Sequence, residues 1–416
     1  MFQKIKIAMR NLMRHRYRTF LTGAIISIIA FIFVFGLSVS EGISEGLIEK
    51  IIRLNTGHVI ITSIENKNSS DESAENVSWD KQKIENVSDI ENELIKYGEV
   101  NKIARRLKIT GIVASDIKTG PCIIVGIEPD KEPELLLSDL EVKEGEFLPL
   151  DKKDNSIYIS STIAEVYNAG VGDNLTLICQ TENYASNSID FKVCGIFKES
   201  SWKEYYSYVY LSDAQSLAGI EENTITHLKV TLDRREDSEY IAKKINENIG
   251  NSYGIYARDW RTASEMLLGT VMIMEVSVYG MCVILFFLIG AILINNISMA
   301  IHERTNEIGI LMAMGMTGKG IYSLFLWETF ILSSIFIFVG ELIGCILSVV
   351  LGNIGIPAFT EVLKLSFGAD YTYPILRPEF VILSAGIILL LSILLTIIPI
   401  KKAVKLDPAE AVRVVN

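Results

Sequence analysis

Apolar residues along this 416-residue chain gather in four runs, set apart by one long segment of mixed character. A bilayer core about 30 Å thick takes roughly 20 apolar residues in a helix, and each run reaches that length. Residues 19–40 and 276–301 hold no Asp, Glu, Lys or Arg, 322–351 is interrupted only by Glu328 and Glu341, and 380–400 is again uncharged. The pattern predicts a membrane α-helical protein with four transmembrane helices.

The 41–275 segment reads as a large extracytoplasmic α+β domain. Ile43, Leu47, Ile48, Ile51 and Leu54 fall at helical spacing, so 41–55 should continue the first span outward as a stalk. A strand follows at 57–61, and the Ser-, Asn- and Asp-rich stretch 63–78 reads as an exposed loop. Helices are expected at 89–97, 161–169, 212–218 and 238–249, and strands at 103–113, 122–127, 156–159, 175–178, 191–197, 208–211 and 227–232. A polar connection spans 180–190, and a helix over 260–274 forms the returning stalk. Strands mixed with intermediate helices predict two subdomains.

Charge orients the spans. Lys4, Lys6, Arg10, Arg14, Arg16 and Arg18 precede the first, and Lys401, Lys402, Lys405 and Arg413 follow the fourth. Basic flanks stay cytoplasmic, which places 1–18, 302–321 and 401–416 inside and the 352–379 loop outside. The first apolar run exceeds a signal-peptide core and ends in the poor cleavage site Ser38-Val39-Ser40, so it reads as an uncleaved anchor. Between the first two spans, 25 Lys and Arg face 41 Asp and Glu, a net charge of −16, and that sign speaks against nucleic acid as a partner. Three external cysteines cannot all pair; Cys179 and Cys194 could face each other across a hairpin. No cysteine or histidine spacing suggests a metal.

Catalytic machinery is missing from the sequence. Gly315-Met316-Thr317-Gly318-Lys319-Gly320 lacks the Ser or Thr that closes a phosphate loop, and no Ser/His/Asp, Cys/His or HExxH arrangement occurs. The chain is therefore expected to have no catalytic residues and no cofactor of its own. Glu328 is placed to reach headgroups, Arg304 or Lys319, and Glu341 to lie near the outer interface or a polar cavity between subunits. Gly23-x-x-x-Ser27 and Gly340-x-x-x-Gly344 allow close helix approach.

The most informative stretch runs from His302 to Gly315: a charged opening and then an apolar run, placed between two spans. Glu303 and Glu307 share one helix side, suited to a soluble partner on the cytoplasmic face. This wording resembles the cytoplasmic coupling helix of FtsX/MacB-type (type VII) ABC transporter permeases. Ile159-Ser160, Gly172-Asp173-Asn174-Leu175-Thr176-Leu177, Phe191 to Phe197 and Tyr208-Val209-Tyr210-Leu211, in that order, are similar to the MacB-type periplasmic domain and to the lipoprotein-releasing LolC/LolE permeases. The tail from Pro399 through Leu406-Asp407-Pro408-Ala409-Glu410-Ala411 also resembles the family's.

The resemblance implies a permease of the bacterial inner membrane, both termini cytoplasmic, whose energy comes from ATP and Mg bound by a separate cytoplasmic ATPase. Glu303, Arg304, Glu307, Ile308, Gly309 and Met314 would couple to that ATPase. Gly23, Ser27, Gly340 and Gly344 would pair spans with a second permease subunit, in a homodimer or heterodimer. Phe31, Phe35, Val278 and Met281 would line a cargo cavity for a lipoprotein. A periplasmic carrier is a further implied partner, but the 180–190 connection is short and lacks the proline of the family's carrier-gripping hook. MacB-like efflux and an FtsX-like scaffold for a cell-wall hydrolase are the alternatives.

Overall fold

The computed structural model describes residues 9–10, 12–14, 16–66, 82–132, 142–150, 155–198, 205–303, 310, 312, 314–360 and 370–404. In chain order these form α1 (Arg16–Ile51), β1 (Val59–Ser63), α2 (Val87–Ile95), β2 (Val100–Ala114), β3 (Thr119–Ile127), β4 (Val142–Gly145), β5 (Ser156–Ser160), α3 (Ser161–Tyr167), β6 (Asn174–Gln180) and β7 (Ser186–Phe197). They continue with β8 (Tyr206–Tyr210), α4 (Leu211–Ala218), β9 (His227–Leu232), α5 (Ser238–Ile245), β10 (Ile255–Asp259), α6 (Trp260–Ala263), α7 (Glu265–Glu303), α8 (Gly318–Ile354), β11 (Ile356–Pro357), β12 (Tyr371–Thr372) and α9 (Pro378–Val404). Two units separate, one holding 1–45, 272–360 and 370–416, the other 46–271 and 361–369.

The first unit is a helical bundle. Four described helices are long and apolar enough to cross a membrane, with candidate spans Thr19–Thr56, Leu267–Ile284, Gly318–Ile354 and Pro378–Lys401. Ile26, Ile29 and Ala30 of α1 pack with Leu332 and Ile337 of α8 and Ile388 of α9. In lipid the helices gain nothing from hiding apolar surface, so close backbone approach sets the contact. A Cβ on Gly340 would collide with the Ser27 carbonyl, one on Gly23 with the Phe336 ring, and one on Gly344 would lie 3.2 Å from Val34. These small residues pair α1 with α8 inside one chain. Outside the helices, Ile375 N–H donates to the Ser38 carbonyl (2.9 Å) and Arg377 pairs with Glu41, so the loop before α9 is tied to α1.

The second unit is α+β. Its sheet runs β10-β1-β9-β2-β3-β8-β5-β7-β4, and β6 pairs with both β2 and β7. The pairings β2–β3, β3–β8, β8–β5, β5–β7, β7–β6 and β6–β2 close a ring of six strands. Beside the ring, β9, β1 and β10 form an antiparallel extension. β2 belongs to both: Val100 to Arg106 pair with β9, and Arg106 to Ala114 with β3. The expected two subdomains thus share a strand, and one apolar core runs through both, from Ile90 and Ile245 to Leu177 and Phe191.

Several local expectations are corrected. The 180–190 connection is mostly strand, since β7 starts at Ser186 and only 181–185 turn, with Thr181 and Ala185 bonded. Exposed alternation on an outer pairing disguised the strand as loop. Strands β4 and β10 had no expectation; β10 lies at an edge, where the Asn246 side chain bonds both the N–H and the carbonyl of Ala257. The helix expected over 238–249 loosens into a π turn at Asn246–Gly250, and the returning stalk breaks at Ser264 (φ −113°). Cys179 lies opposite Asn187 rather than Cys194, and all five cysteines are free. The loop expected at 63–78 lies largely outside the described residues.

Gly340→Ala is expected to cost about 1–3 kcal/mol through overpacking against the Ser27 backbone. Gly386→Ala on α9, with no atom within 4 Å of the added methyl, should leave thermal unfolding in detergent unchanged. Equal shifts for both would contradict the α1–α8 contact.

Candidate functional site

The expected coupling segment joins α7 to α8. Glu303 ends α7, and Arg304, Glu307, Ile308 and Gly309 lie outside the described residues. Met314 is described and 70% exposed, in a turn where Gly315 adopts φ +93°. Thr317 then caps α8 by accepting from Gly320 N–H, and Met312 and Met316 pack against Ile321, Phe325 and Ile400. The segment's C-terminal end is therefore anchored in the bundle while Met314 faces outward.

Of the expected cargo residues, Phe31 and Phe35 stack on α1 with ring centroids 5.6 Å apart. On α7, Val278 is half-buried and Met281 exposed, within a stretch that also exposes Val276, Tyr279, Val283, Ile284 and Phe287. Glu341 is buried and accepts a 2.8 Å hydrogen bond from Ser384 on α9, so it has a partner within the chain. Glu328 is buried on α8. Among the described residues, no group of His, Cys, Asp or Glu could hold a metal ion. Burial pushes Cys122 up to about 12 and Cys179 and Cys194 up to about 11, which keeps them as thiols.

The outer domain holds a site with no sequence expectation. The stalk end of α1 passes into a π turn at Ile52–Thr56, and a helix end leaves its last carbonyls without partners. Arg106 of β2 donates through one terminal nitrogen to the carbonyls of Leu54 (2.6 Å) and Asn55 (3.3 Å). Lys229 of β9 donates to the carbonyl of Arg53. Both cations meet one carboxylate: Arg106 grips Glu132 in a two-pronged bond, with 2.9 Å on the second oxygen, and Lys229 lies 3.5 Å from it. Side-chain exposure is 8% for Arg106, 3% for Glu132 and 6% for Lys229, so all three charges are removed from water.

Burial alone would raise the Glu132 pKa, but Arg106 and Lys229 hold it at about 2. Burial, with Lys108, Arg106 and Arg258 adding positive charge, lowers His227 to about 3, so its ring is neutral in ordinary buffers. A small cavity of about 40 Å3 adjoins the cluster, lined in part by Asn55, Lys108, Tyr206 and Tyr208. Gly57 (φ +66°) ends the turn where a Cβ would meet Lys229 Cγ at 2.7 Å and the Val230 carbonyl at 2.8 Å. The sequence carried no local signal for the cluster: Arg106 lies in a strand that also holds Lys102, Arg105 and Lys108, and Lys229 alternates with Leu228 and Val230 as a solvent-facing residue would. Burial makes each charge need a partner, and the sequence does not say which.

The hairpin tip between β6 and β7 is tied down. Glu182 N–H donates to the Ala218 carbonyl (3.0 Å), Asn187 Nδ2 to those of Ser216 and Leu217, and Glu182 pairs with Lys83 at 2.7 Å.

Glu132→Gln is expected to lose about 3–5 kcal/mol at neutral pH, because two buried cations lose their counter-charge. A carboxylate whose folded pKa is depressed contributes fully above its ordinary value of 4.5 and loses that contribution as pH falls toward 2. Urea unfolding of wild type and variant should therefore converge between about pH 4.5 and 2. A gap unchanged across that window would contradict the pairing.

Residues 19–248 match the MacB-like periplasmic core domain, and 279–408 match the FtsX-like permease C-terminal family. The chain is 23% identical over 304 residues to the lipoprotein-releasing system transmembrane protein LolC of Neisseria meningitidis, covering 69% of this chain and 72% of that one. It is 21% identical over 342 residues to the corresponding LolE of Haemophilus influenzae, covering 77% and 79%. Among solved structures, the periplasmic region of MacB from Actinobacillus actinomycetemcomitans aligns over 52% of this chain and 95% of its own, with 15% identity and a TM-score of 0.36. An outer α+β domain that fills most of one family match and apolar helices that fill the other carry one conclusion: the chain belongs to the FtsX/MacB-type permeases of ABC transporters.

Proposed function

We propose that this permease releases lipoproteins from the inner membrane, with ATP and Mg handled by a separate cytoplasmic ATPase that docks on the 302–321 segment. The observation that carries this reading is the similarity to LolC and LolE, which extends over more than two thirds of both chains. In this reading the basic flanks keep both termini cytoplasmic and the acidic 41–275 domain outside. Glu303, Arg304 and Glu307 supply the polar docking face, while Ile308, Gly309 and Met314 fit the ATPase surface closely. Cargo would be held on the exposed apolar face of α7 and beside the Phe31–Phe35 pair, in a dimer of permeases. The tied-down tip at 181–185 leaves little freedom to grip a carrier, so carrier capture falls to the partner permease.

Affinity purification in mild detergent followed by mass spectrometry tests the proposal. Co-purification of an ABC ATPase and acylated lipoproteins is expected, and Glu303→Ala/Glu307→Ala should reduce ATPase recovery at least tenfold. An ATPase recovered with a pump adaptor or a cell-wall hydrolase, and no lipoprotein, would replace release by efflux or by hydrolase activation. Recovery of no ATPase would remove the docking role of 302–321.

A further inference from the structure

We infer that Arg106, Glu132 and Lys229 form the joint through which the first stalk drives the outer domain, so that Arg106 and Lys229 are positioning residues for transport. This deepens the reading of the chain as an ATP-driven permease and rests on it. The geometry singles out this point. The three consecutive carbonyls at the stalk end, from Arg53, Leu54 and Asn55, are each held by a cation that belongs to the sheet. Cations at a helix C-terminus also oppose the helix dipole, so the bonds resist a pull along the stalk axis. Glu132 locks the two cations to each other, which makes the attachment one unit instead of two side-chain contacts.

Arg106 is also where β2 changes partner. It is opposite His227 of β9 and Ile127 of β3, the last pair of one ladder and the first of the other. A displacement of the stalk end therefore reaches the β1–β9–β10 extension and the six-strand ring together. Leu54 adds an apolar contact, buried beside Ile127, Tyr158, Tyr208 and Phe197 on the ring. Adjacent to the turn, His58 N–H donates to the Val230 carbonyl (3.0 Å), and its ring accepts from Leu232 N–H (2.9 Å).

The returning stalk is built differently. It starts with Asp259 capping the short α6, bonds back through Trp260 N–H to the His58 carbonyl, and is interrupted at Ser264 after four helical residues. A clamped first stalk and an interrupted second one assign the drive to the first and leave the second to follow.

Hydrogen exchange on the full chain in nanodiscs, bound to the ATPase that co-purifies with it, tests the joint with and without ATP plus vanadate. Lys229→Met keeps the Arg106–Glu132 pair and so should fold, with residues 52–58 exchanging at least tenfold faster than in wild type. In wild type, nucleotide should change exchange both in 44–51 and in β2; in Lys229→Met the change should stop at the stalk, and Lys229→Arg should restore it. The uncharged Arg106→Met/Glu132→Leu/Lys229→Met variant, packed but without donors to the carbonyls, should behave as Lys229→Met does. A β2 response in Lys229→Met equal to wild type would overturn the joint and leave the functional reading standing. A wild-type chain with no response to nucleotide in either segment would overturn both.

Discussion

A helix that ends against the inside of a domain carries carbonyls that water cannot reach, and that constraint organises the outer unit. The first stalk stops at a π turn where the Leu54 carbonyl is buried and those of Arg53 and Asn55 are partly so, and the fold answers with Arg106 and Lys229. Two cations without a counter-charge would be prohibitive at that depth, so Glu132 is required as well. A buried ion pair adds little net stability compared with an apolar filling, because desolvation offsets the attraction. What it adds is direction. The stalk end can dock in one register only, since a shift of one residue along the helix moves each carbonyl away from its donor.

Polar satisfaction shapes the bundle in the same way, at lower density. Ser38, Ser392 and Thr396 donate to carbonyls four residues back on their own helices, which leaves their surroundings apolar. Glu341 has a partner on another helix, and its bond to Ser384 fixes α8 against α9. With Gly340 and Ser27 setting the approach of α8 to α1, one short stretch of α8 defines two interfaces by different means, a hydrogen bond and a missing side chain. The absence of a hydrophobic drive between helices in lipid is what makes such specific contacts decisive.

Patterns local in sequence were readable, and those that depend on partners were not. Long apolar runs announced the four long helices, and the Leu228, Val230 and Leu232 alternation announced β9 between its observed ends. Closure of the ring was invisible, because β6 meets β2 only through Ile112, Val113 and Ala114 and nothing local marks those three residues as shared. The small residues in the first and third spans were legible as close contacts, but whether a glycine meets its own chain or another is a matter of tertiary placement. Strand β10 is short and at an edge, and its outward N–H is satisfied by the Asn246 side chain, so no alternation long enough to be read was needed. The carboxylate of Glu132 sits in a Glu-, Asp- and Pro-rich stretch that reads as solvated loop, and only the facing Arg106 and Lys229 show that it is core.

The two lobes of the outer domain share a strand. Val100 to Arg106 and Arg106 to Ala114 are halves of one fifteen-residue element, each half hydrogen-bonded into a different lobe. A shared strand cannot hinge without breaking ladder bonds on one side, so the lobes move together. The break at Ser264 interrupts the returning stalk, whereas the first stalk is held by its carbonyls to the residue at the strand's midpoint. A shift of that stalk end without a shift of both lobes would have to break those bonds.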